Sequence, residues 1–478
     1  MDGGLRKEIQ DIMDRFDEAL EADRDNREDA LDDLQFIAGE QWPAEIKADR
    51  EANGRPMLTI NQMPQFVRQV TGDIRQANPA IDVIPGDGDA SDDMADMLSG
   101  LIRGIEYQCD ASSIYERAAE SAASCGMGAF RTYYKQTRRG NEIVIEGISN
   151  PFAVYWDPLA KDPTRKDARF CFVTDKMGLE EFKEVYPKAD VSPFESGDVT
   201  RQYDSWFSDE NVTVAEYWEK KGGRVFWSKV SGVEVLEGPI EFPGEYIPIV
   251  AVVGEEMHLG DRVIRTSVIR HAKDSQRLYN YSRTAQAELI ALQPKMPYLV
   301  TARQIEGYEA WWNTANTANR PYLPYQPDQL APPPKREQPP VASSGLMQEI
   351  MIAADEMKST TGIYKAALGE SSGEKSGIAI QQRQRESDIS TSIYVDNLSK
   401  SIAQCGRVVV GLIPFVYDTT RLVRTMQPDG SARMVEFNTP IQTPVGPMYA
   451  NDPSFGSFDV GIKTGPSYST QKQESVEQ

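Results

Sequence analysis

Apolar positions in the first part of the chain follow the spacing of helices. Over residues 6–38, large apolar side chains recur three or four positions apart and predict an amphipathic helix, at Ile9, Ile12, Phe16, Leu20, Leu31, Leu34 and Ile37. The opposite face of this helix is acidic, with Asp11, Asp14, Asp17, Glu21, Asp25, Glu28 and Asp32. Two interpretations of that face stay open: a solvated surface, or an acidic surface that meets a partner or repels phosphate.

A short strand and three helices are expected to follow. The strand is predicted at residues 57–60. The helix after it should end by Asn78, because Pro79 disfavours helical geometry in the residue before it. Two more helices are predicted over residues 91–108 and 114–124.

Between residues 129 and 254 the apolar period changes to two, which is the period of strands. β-Hairpins are predicted around the turn signals Arg139-Gly140-Asn141 and Gly222-Gly223. Further strands are expected at residues 233–236 and 246–253. The sequence therefore predicts a β-rich region inserted into a helical chain.

Three long helices are predicted in the last part of the chain. Residues 267–292 contain neither proline nor glycine, residues 346–361 carry an apolar stripe, and residues 378–413 would form one helix about 54 Å long. Eight of residues 321–340 are proline, which favours extended backbone, and the glycine- and serine-rich residues 362–377 predict an exposed loop. The third helix is expected to bury a seam formed by Ile389, Ile393, Leu398, Ile402, Cys405, Val409 and Leu412. This order of segments is typical of a part of an elongated assembly rather than of an ordinary enzyme.

Composition and charge narrow the function. The chain has 478 residues, of which 40% are hydrophobic and 26% charged, as in ordinary globular proteins. With 51 basic and 73 acidic residues, the net charge of -22 argues against binding of nucleic acid by bulk electrostatics, because phosphate binding needs cationic surface. The four cysteines form no CxxC pair, so neither a zinc site nor a disulfide framework is expected. The sequence predicts no signal peptide and no membrane span.

Three short motifs resemble catalytic or metal-binding sites but lack essential parts. Residues 369–373 satisfy GxSxG, yet both histidines, His258 and His271, precede that serine in the chain. Residues 373–376 resemble the end of a phosphate-binding loop but carry an acidic residue where glycine must precede the lysine. Residues 87–92 begin like a calcium loop without its glycine and its final glutamate. We therefore expect no enzyme activity, no catalytic residues, no metal and no cofactor.

An ordered set of segments spanning nearly the whole chain resembles the portal proteins of tailed bacteriophages, most closely the P22-like group. The segments are residues 55–61, 72–76, 79–85, 157–158, 167–170, 272–280, 361–364, 376–380, 458–460 and 464–468. The resemblance implies an α+β fold of the portal type, assembled as a ring. By resemblance, residues 1–265 are a wing with a helical start and a β-rich part at 129–260. Stem helices are implied at 266–292 and 346–361, with a clip between them at 293–345. A tunnel loop is implied at 362–377, followed by the rest of the wing at 378–478 with a long helix and a β segment leading towards a crown.

The resemblance also implies a function and partners. Such a protein forms a ring-shaped channel at one capsid vertex, through which double-stranded DNA is packaged and ejected. The implied partners are further copies in a homo-dodecamer, the terminase large subunit, the head-to-tail adaptor, and the major capsid and scaffolding proteins. The implied location is the virion, after synthesis in the host cytoplasm. The alternative is another ring-forming virion component, such as a tail adaptor or a scaffold-binding connector.

Candidate site residues follow from this assignment. A conduit must let DNA slide, so few cations are expected at its narrowest point. We expect Lys365 and Lys375 of the tunnel loop to face the lumen, with solvated loop lysines as the alternative. Partner docking is expected at the clip aromatics Trp311, Trp312, Tyr322 and Tyr325, with burial inside the clip as the alternative for the two tryptophans. An inter-subunit or lumen role is expected for the stem cations Arg270, Lys273, Arg277 and Arg283.

Overall fold

The computed structural model describes the chain in ten stretches. These are residues 2–88, 90–138, 140–189, 210–260, 262–292, 297–337, 344–363, 377–427, 431–443 and 446–463. The described chain mixes helices with antiparallel sheets and is an α+β protein, as expected. Among the described residues, no helix combines the length and the apolar character needed to cross a membrane.

The helices, in chain order, are α1 Asp2–Ala38, α2 Ala44–Ala52, α3 Met63–Ala77, α4 Asp92–Cys109, α5 Ala111–Cys125, α6 Leu179–Val185, α7 Lys273–Leu292, α8 Ala302–Ile305, α9 Glu309–Asn313, α10 Ser344–Thr361 and α11 Gly377–Val416. The strands are β1 Ala80–Pro85, β2 Met127–Thr137, β3 Gly140–Gly147, β4 Val154–Trp156, β5 Phe170–Gly178, β6 Asn211–Lys221, β7 Arg224–Ser231, β8 Val235–Phe242, β9 Ile249–Val253, β10 Glu255–Leu259, β11 Arg262–Thr266, β12 Tyr298–Leu299, β13 Lys335–Arg336, β14 Arg421–Met426, β15 Ala432–Phe437, β16 Thr439–Thr443, β17 Gly446–Ala450 and β18 Phe458–Lys463.

The chain divides into two compact units. The first unit comprises Met1–Leu34, Gln65–Arg270 and Lys365–Gln478, and the second comprises Gln35–Pro64 and His271–Tyr364. Each unit is therefore built from segments that are far apart in the sequence.

The first unit contains a five-stranded antiparallel sheet in the order β4-β5-β6-β7-β8, together with a three-stranded sheet in the order β3-β2-β9. Ile9, Ile12 and Phe16 of the apolar stripe predicted for the first helix pack on one face of the larger sheet. This core cluster consists of Ile9, Ile12, Met13, Phe16, Ala19, Phe170, Phe172, Ala215, Tyr217 and Val230. Its formation follows from the helical period of α1 and the two-residue period of the strands. The stripe is wrong at Leu20 and Leu31, which are 37% and 50% exposed.

Helix α5 lies on β2 and α11 lies on β9 and on the β1–β18 pair, also within the first unit. A glycine permits the closest of these approaches: a Cβ atom at Gly128 would lie 2.1 Å from the carbonyl oxygen of Ala118. Most of the predicted seam of α11 is buried, namely Leu398, Ile402, Cys405, Val409 and Leu412. The prediction is wrong at Ile393, which is 40% exposed, because Tyr394 occupies the buried position instead. The burial of Ile389 lies outside the described residues.

The second unit contains α7 and α10, which pack together. Ser275 contacts Glu356 and Gln286 contacts Met347, so the two helices run antiparallel. The predicted helix over residues 346–361 is confirmed with its start at Ser344. The helix predicted from residue 267 begins only at Lys273, because the Val268 amide donates to the carbonyl of Ala123 in the first unit and holds the preceding backbone out of helical geometry.

Several local predictions need correction. Residues 57–60 form no strand. Helix α11 continues through Pro414 to Val416, since proline in the last turn removes only one helical hydrogen bond. Helix α2 was not predicted, because it buries no residue and therefore shows no apolar stripe. The predicted hairpins are confirmed as β2–β3 and β6–β7.

Candidate channel and docking surfaces

Residues 58–62 are extended and pair with side chains of α7 instead of with a strand. The amides of Leu58 and Ile60 donate to Thr284 Oγ1 at 3.1 Å and Asn280 Oδ1 at 3.0 Å. The Gln62 amide donates to Gln276 Oε1 at 3.1 Å. Two residues of extended chain span about 6.6 Å and four residues of helix about 6 Å, so alternate amides meet side chains one turn apart. We call Gln276, Asn280 and Thr284 the polar ladder.

The polar ladder continues into a buried amide network. Asn280 Nδ2 donates to Gln41 Oε1 at 2.7 Å, and Gln41 Nε2 donates to Asn61 Oδ1 at 2.8 Å. Gln276 Nε2 donates to the carbonyl of Ile60 at 2.9 Å. Because buried amides satisfied in this way fix one geometry, the network sets the register of residues 58–62 on α7. The spacing of the ladder is visible in the sequence, but nothing local identifies the backbone that it binds.

The outer face of α10 carries exposed apolar side chains. Met347 and Met351 lie one turn apart and are 50% and 67% exposed, and Ile352 beside them is 41% exposed. On α7, Ile290 is also exposed. Apolar groups of this kind on a helix surface are typical of protein–protein contacts.

Of the four predicted stem cations, Arg270 is engaged within the first unit. Its guanidinium binds Asp33 at 2.6 Å and Asp29 at 2.9 Å, both on α1. Asp33 is fully buried, so this pair holds a charge that has little access to solvent. Arg270 is therefore a structural residue of this fold.

The other three stem cations lie in the second unit on α7. Lys273 is buried over the ring of Phe36, and Arg277 lies over the same ring at 5.2 Å. Arg277 also pairs with Asp274 at 3.0 Å, and Arg283 donates to Gln286 at 2.9 Å. Arg277 and Arg283 keep part of their side chains exposed, so they are the members of the set that external groups can reach.

An arginine–aspartate cluster at α1 was missed in the sequence. Arg265 pairs with Asp23, and Arg27 also pairs with Asp23 at 3.2 Å. Burial lowers the pKa of Arg265 to about 10, which leaves the guanidinium charged at neutral pH. Asp23 is not a member of the predicted acidic face, most of which is exposed. One member of that face, Asp25, pairs with Arg262.

The Pro-rich segment is held by two side chains of the short helices that precede it. Trp312 Nε1 donates to the carbonyl of Pro324 at 2.9 Å, and the buried Gln304 donates to the carbonyl of Pro332 at 2.8 Å. Since proline has no N–H group and cannot form a ladder, these donors replace the hydrogen bonds of a sheet. Trp312 therefore acts inside its own segment.

The other clip aromatics are more accessible. Trp311 stacks on Tyr322 with ring centroids 5.9 Å apart, and Arg320 lies 4.4 Å above the Trp311 ring. Tyr322 and Tyr325 are exposed. Lys365 and Lys375, the predicted lumen residues, lie outside the described residues.

The first unit also buries a chain of polar groups between α4, α5, β2 and α11. Tyr115 Oη donates to Glu106 Oε1 at 3.1 Å and lies 3.6 Å from Cys405 Sγ, which is 3.3 Å from Thr132 Oγ1. Burial raises the pKa of Glu106 to about 7, although Tyr115 and Arg103 oppose that shift. The described residues contain no group of three or more His, Cys, Asp or Glu side chains that could hold a metal ion.

Comparison with known proteins gives one consistent result. The family model of the phage P22-like portal protein matches residues 13–224 and 219–478. A protein named portal protein, from Acyrthosiphon pisum secondary endosymbiont phage 1, is 26% identical over an alignment of 545 positions. That alignment covers 99% of this chain and 75% of the relative.

Proposed function

This chain belongs to the phage P22-like portal protein family, and we propose that twelve copies form the ring through which double-stranded DNA enters and leaves the capsid. As a portal protein it is a virion component that serves DNA packaging. The observation that carries this conclusion is the family match, which extends over nearly the whole chain. A match of that extent does not favour the alternative of a tail adaptor or scaffold-binding connector. The family is structural, and the proposed role needs no catalysis.

We propose that the exposed face of α10 forms part of the contact between neighbouring subunits. A ring requires a heterologous contact that closes after a fixed number of copies. Met351 and Ile352 offer exposed apolar area without charge on α10, whereas Met347 also contacts Gln286 of α7. Arg277 and Arg283 are proposed to add charged contacts to the same interface, with the lumen as the alternative position.

The ring is tested by end-on electron microscopy and native mass spectrometry of the purified chain. Met351→Glu places a charge in the proposed contact and should abolish closed rings, whereas Met434→Glu, at an equally exposed methionine of the first unit, should leave twelve-fold rings intact. Charge reversal of both Arg277 and Arg283 should also prevent ring closure, while reversal of the exposed Arg138 and Arg433 should not. Rings that form normally with Arg277 and Arg283 reversed would assign these residues to the lumen. A chain that never forms rings would contradict the whole proposal.

We propose that residues 293–345 dock the terminase large subunit and later the head-to-tail adaptor. The support is that Trp312 and Gln304 fix the Pro-rich backbone, while Tyr322 and Tyr325 stay exposed on it. Backbone that is already ordered loses little entropy on docking, which suits successive partners. Replacement of both tyrosines by serine should reduce terminase binding to the assembled ring, with serine at both Tyr107 and Tyr449, two exposed tyrosines of the first unit, as the matched control.

Lys365 and Lys375 are proposed to line the narrowest part of the channel. The change of both to Glu should lower the amount of DNA retained per capsid, because two positive charges per subunit become two negative charges that repel phosphate. Lys183 and Lys188, which are exposed in the first unit, give a control with the same charge change. Unaltered packaging and retention in the first variant would remove the two lysines from the mechanism.

A further inference from the structure

A cleft lined mainly by aromatic and aliphatic side chains lies between the two sheets of the first unit and has a volume of about 390 Å³. Trp218 of β6, Trp227 of β7 and Ile240 of β8 are cross-strand neighbours and share one face of the larger sheet. The opposite face packs on α1, because Tyr217, the residue before Trp218, lies in that core. Tyr134 of β2 lines the cleft from the smaller sheet. We call this site the aromatic cleft.

The aromatic cleft contains a buried hydrogen-bond donor without an acceptor. Trp218 is 6% exposed, and its indole N–H has no hydrogen-bond partner among the described residues. Phe242 packs edge to face on Trp218 with ring centroids 5.2 Å apart, but a ring is a much weaker acceptor than an oxygen atom. An unpaired buried donor costs free energy, which a bound oxygen acceptor recovers. The cleft therefore favours a molecule that carries a carbonyl oxygen.

Among the described residues, the aromatic cleft offers no free charged group to a ligand. Arg131 and Glu216 both line it and pair with each other at 2.9 Å, and Arg131 also pairs with Glu146 at 2.7 Å. Glu241 alternates with the cleft residues along β8, so its carboxylate lies on the opposite face of the sheet, where it pairs with Arg224 at 3.4 Å. A charged molecule would lose its hydration in the cleft without gaining a partner of opposite charge. The cleft therefore selects a neutral molecule.

The strand at the edge of the larger sheet is unsuited to pairing with an extended segment of another protein. β8 is that edge strand, and it contributes Ile240 to the cleft. It contains Pro239, which has no N–H group, and the exposed acids Glu237 and Glu241, and both features discourage the addition of a strand. A small molecule therefore fits the cleft better, and the volume is at the lower end of the range for small-molecule sites.

We propose that the aromatic cleft binds a small, neutral, aromatic molecule that carries a carbonyl oxygen. Its ring packs on the two tryptophans, and its carbonyl accepts a hydrogen bond from Trp218 Nε1. Ile240 is 53% exposed and Trp227 is partly exposed, so such a molecule can enter from solvent. This site is independent of ring closure and of the channel, so its failure leaves the portal assignment intact.

The test uses the full-length chain and four probes that share one bicyclic carbon skeleton: 1-indanone, indane, protonated 1-aminoindane and indane-1-carboxylate. Binding is measured by saturation-transfer NMR at sub-millimolar probe. 1-Indanone should bind with a Kd in the millimolar range, as expected for so small a ligand. The ammonium and carboxylate probes should bind at least about tenfold more weakly, because each loses the hydration of its charge.

One variant isolates the contribution of the buried donor. Trp218→Phe removes the indole N–H and keeps an aromatic ring. It should lower the ratio of 1-indanone affinity to indane affinity about fivefold, because only the ketone uses the donor. Trp311→Phe, at a half-buried tryptophan of the second unit, is the matched control and should leave that ratio unchanged.

A second variant locates the binding on the chain. Ile240→Glu places a charge at the exposed part of the cleft and should abolish binding of 1-indanone. Val185→Glu, at a residue of α6 outside the cleft, is the matched control and should have no effect. Because Ile240 and Val185 are both 53% exposed, these two variants should fold normally even if Trp218→Phe does not.

Four results would overturn the proposal. These are absence of binding to the folded chain, equal affinity for 1-indanone and its charged analogues, an unchanged affinity ratio in folded Trp218→Phe, and equal effects of Ile240→Glu and Val185→Glu. A change in oligomer size caused by Ile240→Glu would show that a neighbouring copy of this chain covers the cleft and would also overturn it.

Discussion

The contacts that stabilise the interior of the first unit differ in kind from those that stabilise the interior of the second. In the first unit, rings from distant segments pack directly: Phe16 contacts Phe172 with centroids 5.3 Å apart, and Phe172 contacts Tyr217 at 4.7 Å. In the second unit, the decisive contacts are hydrogen bonds from the backbone of residues 58–62 to the polar ladder. Apolar burial stabilises without strict direction, whereas amide pairing fixes one register.

Exposed apolar side chains occur in both units, for example Leu159, Leu422 and Met434 in the first unit. A unit organised by amide pairing does not need all its apolar residues in its own core. In the second unit, Met351 and Tyr322 are both 67% exposed and Leu330 is 88% exposed. Such side chains stay available to other chains, which suits the unit to which we assign both the subunit contact on α10 and the docking segment.

Removal of an aromatic side chain from the core of the first unit should have the largest effect of the three changes. Phe172→Ala deletes a fully buried ring that contacts Phe16, Phe170 and Tyr217 and should lower the free energy of unfolding by about 3–5 kcal/mol. Urea unfolding followed by hydrogen exchange should show the loss in the first unit. Phe455→Ala, at a ring that is 58% exposed, should change stability by less than about 0.5 kcal/mol. Equal losses in both variants would contradict the assignment of this core.

A break in the polar ladder should have a smaller and more local effect. Asn280→Ala removes the acceptor for the Ile60 amide and the donor to Gln41, which leaves buried groups unpaired at a cost of about 1–3 kcal/mol. Hydrogen exchange should speed up at the Ile60 amide and leave the sheets of the first unit unchanged. Asn53→Ala, at an exposed asparagine of the second unit, is the matched control. Uniform acceleration across the chain would show that the ladder does not act locally.

The smallest of the three expected effects is a change in the pH dependence of stability in the first unit. Burial raises the pKa of Glu106 from 4.5 to about 7, so the folded state binds more protons than the unfolded state between these values. The stability contribution of Glu106 is therefore full below pH 4.5 and is lost as the pH rises to about 7. Glu106→Gln should raise stability at pH 8 by about 1–2 kcal/mol relative to wild type and by much less at pH 4.5.

The pH measurement has a matched control. Ser113→Ala, at an exposed position of α5 without a titratable side chain, should give the same difference from wild type at both pH values. A Glu106→Gln effect that does not depend on pH would mean that folding does not shift the pKa of this carboxyl.

Periodic elements of this fold could be predicted from the sequence, and contacts between distant segments could not. The stripe of α1, the β2–β3 and β6–β7 hairpins and the long α11 all express a local period. The β1–β18 pair joins residues about 380 positions apart and carries no local sign of its partner. Helix α2 has no buried residue and hence no stripe.

The candidate sites followed the same rule. Lys273, Arg277 and Arg283 lie on the helix predicted there, but Arg270 precedes it. The engagement of Arg270 by Asp33 could not be predicted, since both lie on elements whose approach is set by the rest of the unit. The two tryptophans of the clip were identified together, and the structure separates their contacts: Trp312 binds a proline carbonyl, whereas Trp311 stacks beside the exposed Tyr322. The cleft between the two sheets of the first unit was not predicted, because residues of β2, β6, β7, β8 and β9 line it together.

Because residues 58–62 pair with α7, substitutions should be tolerated better in the extended segment than in the helix. The extended segment contributes backbone amides, so Leu58 and Ile60 can be exchanged for most residues without loss of a hydrogen bond, with proline as the exception. The helix contributes side chains, so most changes at Asn280 or Thr284 remove an acceptor, with aspartate and serine respectively as the exceptions. In a library of folded variants, many different residues should therefore be found at Leu58 and Ile60 and few at Asn280 and Thr284.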